Sequence, residues 1–197
     1  MKNLETRSLA MLPEVRTDGE TRQVCGVGAV FNTETVIGGM WREMIAPGAF
    51  TSAIAGADVR GLFNHDPNRV MGRTSSGTMK LYEDATGLHY DITPNPDDPM
   101  AMGVMAMVAR GDVTGSSIGF TVKSEVWTKP GTSADLPLRT ITEVEWLRDV
   151  GPVTFPAYSE TTAEARSAAE ALRVVPEIQQ DHTAENTLAL MALEEVI

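Results

Sequence analysis

Residues 78–93 alternate apolar and polar side chains on either side of the turn Glu83-Asp84-Ala85-Thr86-Gly87. A period of two does not fit a helix, whose faces recur every 3.6 residues, so this stretch is expected to be a β-hairpin closed by a glycine-containing turn. Leu88, Tyr90 and Ile92 then share one face, and His89, Asp91 and Thr93 share the other. A hairpin with one apolar face has to bury it, so the rest of the chain should supply further strands. Residues 24–30, 117–127 and 140–155 read as such strands, the last two joined by a Pro/Gly/Ser-containing loop at 129–137. Gly26 and Gly28 within the first of them mark a bulge or a close backbone approach.

Helical signals are fewer. Residues 47–57 suggest a short helix opened by Pro47 and broken by Gly56. Residues 99–110 suggest a longer one, with Asp97 or Asp98 as cap, Pro99 in the first turn and Gly111 after the last. Met100, Met102, Val104, Met105, Met107 and Val108 make it apolar almost all round, so burial on several sides is expected. Methionines at this spacing fill a core and do not mark a cofactor site. After residue 158 the chain turns Ala/Glu-rich and helical until Pro176, and then acidic. The plan is an arm or edge strand over 1–22, a β domain over 23–160, a packed helix over 161–175 and an acidic tail over 176–197. The class is α+β, mainly β.

Composition limits the chemistry. The 197 residues are 42% apolar, enough for a real core, and carry a net charge of -11. That charge argues against nucleic acid as a partner, because phosphate neutralisation needs clustered Lys and Arg. One cysteine, Cys25, permits no internal disulfide and suits a reducing compartment. No apolar run reaches the roughly 20 residues of a membrane helix, and the first residues lack a signal-peptide apolar stretch. One cysteine and three scattered histidines give no metal-ligand spacing, and no phosphate-binding glycine loop occurs, so neither metal nor cofactor is expected.

With histidine so scarce, each one is a candidate for acid–base work. His182 lies in the tail and reads as solvated. His89 lies on a hairpin strand beside Asp91 and Thr93 and reads as solvated or structural. His65 follows the apolar approach Gly61-Leu62-Phe63 and enters a turn at Asn64-His65-Asp66-Pro67, a common place for catalytic groups. A second candidate is Ser116-Ser117 between Gly115 and Gly119, where small neighbours admit a substrate backbone and leave N–H groups for an oxyanion. A serine needs an adjacent base to attack. Asp149 is a candidate to orient that base; Glu143 and Glu145 alternate in register with it, and pattern alone does not choose among the three.

Several blocks in order resemble the prohead protease family of tailed bacteriophages. They are Gly28-Ala29-Val30-Phe31-Asn32, Glu43 to Pro47-Gly48-Ala49-Phe50, Asn64-His65-Asp66, Gly72-Arg73-Thr74 with Gly77-Thr78, Ser117-Ile118-Gly119-Phe120, and Val153-Thr154-Phe155-Pro156-Ala157-Tyr158. The resemblance implies a small closed or partly open β-barrel surrounded by helices, like that of herpesvirus assembly proteases. It implies a serine endopeptidase with His65 as base and Ser117 as nucleophile, Ser116 being the alternative nucleophile. Where the family shows Glu-Val-Ser, this chain has Asp149-Val150-Gly151, so Asp149 is the implied third member. Backbone N–H groups near Gly119, or Arg73, are the oxyanion candidates. The implied substrates are the scaffold segment of the major capsid protein and the protease itself, inside the immature capsid in the host cytoplasm. Removal of residues 176–197 by self-cleavage would follow. Dimerisation is common among the herpesvirus relatives and admits a homo-oligomer. The alternative is a non-enzymatic scaffold or capsid assembly protein that keeps the protease fold, which the acidic charge also suits. A metal-dependent hydrolase is a third reading, disfavoured by the ligand count.

Overall fold

The computed structural model describes residues 3–129, 132 and 135–156. The expected helix over 161–175, the tail over 176–197 and His182 lie outside the described residues. Among the described residues, eleven strands and two helices are formed. The first sheet runs in the order β1 (Glu5–Leu9), β10 (Gly115–Thr128), β11 (Leu138–Val153), β5 (Trp41–Ile45) and β4 (Thr35–Ile37). Two short strands, β6 (Arg60–Leu62) and β7 (Val70–Arg73), attach where β6 runs parallel to β11 at Asp149 and Val150. The second sheet is β2 (Glu14–Asp18), β3 (Thr21–Val30), β9 (Gly87–Ile92) and β8 (Met79–Glu83). The mainly-β expectation holds. The closed form of the barrel does not, because neither hydrogen-bonded order returns to its first strand.

The 78–93 hairpin forms as β8 and β9, with Leu88, Tyr90 and Ile92 fully buried. These pack with Val24, Phe50, Phe120, Ile118 and Val150 in a single cluster between the sheets. Gly28 serves both purposes expected of a strand glycine. The β3–β9 register shifts there, and a Cβ would come within 2.9 Å of Ile118 and Val150 methyls on the other sheet. The segment over 1–22 enters both sheets, β1 as an edge of the first and β2 as an edge of the second.

Helix α1 (Thr51–Ile54) is one turn, shorter than the 47–57 expected. Gly48 is left-handed at φ 81°, which stops a helix from starting at Pro47, and Gly56 ends it at φ 68°. Glu83 takes the Phe50 N–H at 3.0 Å and the Thr51 hydroxyl at 2.6 Å, tying this turn to β8. Helix α2 (Pro99–Arg110) has the expected ends: Asp98 accepts from the Met100 N–H at 2.9 Å, and Gly111 is left-handed. Its burial differs from the expectation. Only Ala101, Val104, Met105 and Val108 are buried, the single stripe of a surface helix. Met100, Met102 and Met107, which gave the sequence its all-round apolar look, flank that stripe and are only partly buried against the core.

A buried ion-pair network ties β1 to the sheet interior. Arg7 donates to Glu43 at 2.5 and 2.8 Å, and Arg139 donates to Glu43 at 2.9 Å and to Glu5 at 2.8 and 2.9 Å. Arg139 and Glu43 are 3% and 4% exposed, so their charges are tolerable only as mutual partners. Burial works against the charged form of Glu43, but Arg7 and Arg139 outweigh it and hold the carboxyl below its usual range. Folding therefore gains from the ionised Glu43 above the unfolded carboxylate pKa of about 4.3, and loses that gain as pH falls through the depressed folded value. Urea titrations down the acid range should show this slope, and Glu43→Gln should flatten it. The same variant should cost up to roughly 3 kcal/mol at neutral pH, because two buried guanidinium groups lose one carboxylate partner while Glu5 remains to both. Loss of the solvent-exposed Arg60–Asp58 pair should leave the midpoint of the same titration nearly unchanged.

Candidate active site

The pairing of β10 with β11 builds the site first. Gly119 pairs with Asp149 and Ser117 pairs with Gly151, so these positions meet across two central strands. Cross-strand partners project to the same face, which puts the Asp149 carboxylate over the Gly119 position. A Cβ on residue 119 would lie 3.1 and 3.3 Å from the two Asp149 carboxylate oxygens, so glycine is the residue that leaves the carboxylate room. At Gly151 a Cβ would collide with the Leu62 carbonyl. The glycine lets β6 run close against β11, and the chain leaves β6 directly toward His65.

The turn after β6 then aims the imidazole. Asn64 and His65 are both left-handed, at φ 54° and 58°. Asparagine and histidine are among the non-glycine residues that reach this region most readily, though each such residue stores of order 1–3 kcal/mol of strain. The strain is held by hydrogen bonds. The Asn64 N–H donates to the Pro152 carbonyl at 3.1 Å, and its side chain accepts from the Thr154 N–H at 2.8 Å. The Asn64 amide also donates to the Thr154 hydroxyl at 3.1 Å. Asp66 accepts from the Asn68 N–H at 2.9 Å and closes the turn on its far side. The polar block Asn64-His65-Asp66 is thus one device: its outer members lock the backbone that presents the middle one.

Three side chains converge. His65 Nδ1 lies 2.5 Å from Asp149 Oδ1, and His65 Nε2 lies 2.6 Å from Ser117 Oγ. An ionised carboxylate only accepts hydrogen bonds, so the proton between His65 and Asp149 sits on Nδ1. The neutral ring then turns the Nε2 lone pair to the Ser117 hydroxyl, the arrangement a general base needs. Asp149 is 1% exposed, and its second oxygen accepts from Arg148 Nε at 2.6 Å. His65 is 23% exposed and is the member of the three that reaches solvent, whereas Ser117 is fully buried. The arrangement can transfer a proton from a hydroxyl to an imidazole and hold the resulting imidazolium against a carboxylate.

The other sequence candidates lie elsewhere. Ser116 projects to the opposite face, where its hydroxyl meets the buried Tyr90 hydroxyl at 2.8 Å. Burial pushes the Tyr90 phenol up, so it stays a neutral hydrogen-bonding partner. The Arg73 guanidinium is held by Asp58 at 2.7 and 2.6 Å. Glu143 pairs with Lys123 at 2.7 Å toward the other end of β11. His89 stacks on Tyr82 and pairs with Asp84 at 3.0 Å. Among the described residues no cluster of His, Cys, Asp and Glu could hold a metal ion. Sequence reasoning missed Arg148, the outer brace of Asp149, because neighbours on a strand ordinarily face apart. It also missed the approach of β1: Ser8 Oγ donates to Ser117 Oγ at 2.9 Å, and the Arg7 carbonyl lies 2.9 Å from the same hydroxyl. No local pattern over residues 5–9 signals that contact.

The model of the caudovirus prohead serine protease family matches residues 4–174. The prohead protease of Enterobacteria phage HK97 is 27% identical over 171 residues, which cover 84% of this chain and 70% of that protein. No solved structure matches. The site geometry makes one position unusually sensitive to a single methyl group. Gly119→Ala should displace the Asp149 carboxylate, cost about 1–3 kcal/mol by overpacking, and change the downfield proton NMR signal of the His65 Nδ1–H. An unchanged signal with unchanged stability would show that the carboxylate does not depend on glycine there.

Proposed function

Because this chain belongs to the caudovirus prohead serine protease family, we propose that it is an endopeptidase in which Ser117 attacks, His65 is the general base and Asp149 orients and charge-stabilises the histidine. The single observation that carries this reading is the His65 ring, 2.5 Å from Asp149 on one side and 2.6 Å from Ser117 on the other. Ser117 is preferred to Ser116 because only Ser117 reaches the imidazole.

The mechanism follows the serine-protease pattern. His65 Nε2 takes the Ser117 proton as Oγ bonds to the scissile carbonyl carbon, and the carbonyl π pair moves to its oxygen. Collapse of the tetrahedral species expels the amine, which leaves with the proton from His65. Water then attacks the acyl-enzyme with His65 again as base. Asp149 keeps Nδ1 protonated throughout, so Nε2 is always the atom that exchanges. The aspartate in place of the family's glutamate has a side chain one methylene shorter, and still lies 2.5 Å from His65 Nδ1.

The substrate reading rests on family membership: the scaffold segment of the major capsid protein and the protease itself, cleaved inside the immature capsid. The herpesvirus-protease likeness belongs to the same proposal. The supporting feature is the larger sheet, which carries the three side chains on its central strands and on the turn that follows β6.

Co-expression with the capsid protein tests the reading. Wild type should trim the capsid protein, and Ser117→Ala and His65→Ala should leave it whole. Asp149→Asn should slow trimming by about 10⁴, the cost of presenting the wrong histidine tautomer. Trimming by the Ser117→Ala variant would discard the site assignment. Failure by wild type would favour the alternative of an assembly protein with the same fold.

A further inference from the structure

A serine hydroxyl has one proton and two lone pairs, yet three polar atoms crowd Ser117 Oγ. They are His65 Nε2 at 2.6 Å, Ser8 Oγ at 2.9 Å and the Arg7 carbonyl oxygen at 2.9 Å. Donor counting sorts them. The Arg7 oxygen can only accept. If Ser117 gives it the proton, Nε2 must carry a proton of its own, and the base is disabled. If Ser117 gives its proton to His65, as attack requires, the only partner left that donates to the nucleophile is Ser8.

Access gives the second observation. Ser117 is fully buried, but the two side chains that touch its hydroxyl, His65 and Ser8, are both partly exposed. A carbonyl group that reaches Oγ therefore arrives between them. At Ser117 the strand β10 is paired along both edges, with Ser8 on β1 and Gly151 on β11, so its main-chain groups there are committed to the ladders. Arg73 is committed to Asp58.

On the reading of Ser117 as nucleophile, we propose that Ser8 is a further catalytic residue, a hydroxyl donor to the oxyanion. In the resting site Ser8 donates to Ser117 Oγ. As Oγ bonds to the carbonyl carbon, the Ser117 proton passes to His65 Nε2 and the π pair becomes a lone pair on the carbonyl oxygen. That oxygen is attached to the same carbon as Oγ, and the Ser8 hydroxyl swings from one to the other. Ser8 keeps its proton and changes only its acceptor, so the step needs no further reactant. The Arg7–Glu43 and Glu5–Arg139 pairs fix the strand that carries Ser8, which gives the donor the fixed placement that oxyanion stabilisation requires.

A fluorophosphonate probe tests this without knowledge of the cleavage sequence, because phosphonylation also develops negative charge on an oxygen beside the attacked atom. The full-length protein is labelled, the rate is followed by intact mass, and the modified residue is mapped. Ser8→Ala should label Ser117 about 10² to 10³ times more slowly than wild type, the usual effect of losing one oxyanion donor. Ser8→Thr, which keeps a hydroxyl, should stay within about tenfold of wild type. Thermal melts of both variants show whether each is folded. Ser8→Ala labelling at the wild-type rate overturns the proposal. So does a folded Ser8→Thr as slow as Ser8→Ala, since Ser8 would then matter for its shape alone. A wild-type protein that is not labelled at Ser117 removes the nucleophile assignment itself, which is a separate failure from the other two.

Discussion

The antiparallel ladder between β10 and β11 is the constraint on which the rest of the site depends. It places Ser117 against Gly151 and Asp149 against Gly119, and both glycines are needed there for space. A slip of one residue would turn every side chain of the strand to the other face. Ser117 would then point into the core and Ser116 would point out. What prevents the slip is the apolar set on the buried face: Ile118, Phe120, Leu147 and Val150 belong to the main core cluster. The chemistry-bearing residues are thus held in register by residues that have no chemistry.

His65 is positioned by a different kind of force. It stands on a short turn whose left-handed residues are kept in place by Asn64 and Thr154, and so by the far end of β11. The strand that holds Asp149 also anchors the turn that presents its partner. The two members of the hydrogen bond cannot drift independently, which suits a contact of 2.5 Å.

Much of this was legible in the sequence, and for physical reasons. Period-two alternation marked the hairpin over 78–93, and proline, aspartate and glycine marked both ends of α2, because these signals are local. Scarcity and turn chemistry single out His65 without any resemblance. The choice of Ser117 over Ser116 was not local. It depends on which face of β10 meets the core, and that is decided by strands far away in the chain. Asp149 could not be separated from Glu143 and Glu145 by alternation, because all three recur on one period; the register shift between Gly119 and Phe120, which skips Arg148, breaks that period in the folded ladder. The length of α1 was misjudged because Gly48 permits a backbone angle that forbids the helix it resembles. The part played by β1 was invisible, since a carbonyl and a serine in an edge strand carry no signature of what they will touch.

Ser8 and Ser117 are 109 residues apart, and His65 and Asp149 are 84 apart. Contacts of such sequence separation form late, because the intervening chain must first be ordered. Strand β1 completes the surroundings of a residue made much later, and the carboxylate comes from β11, later still. During synthesis, a chain that has reached only Ser117 holds the hydroxyl and the imidazole but lacks the strand that brings them together. The meeting of Ser117 with His65 is therefore withheld from the growing polypeptide, and takes place only after β11 has been made and has paired.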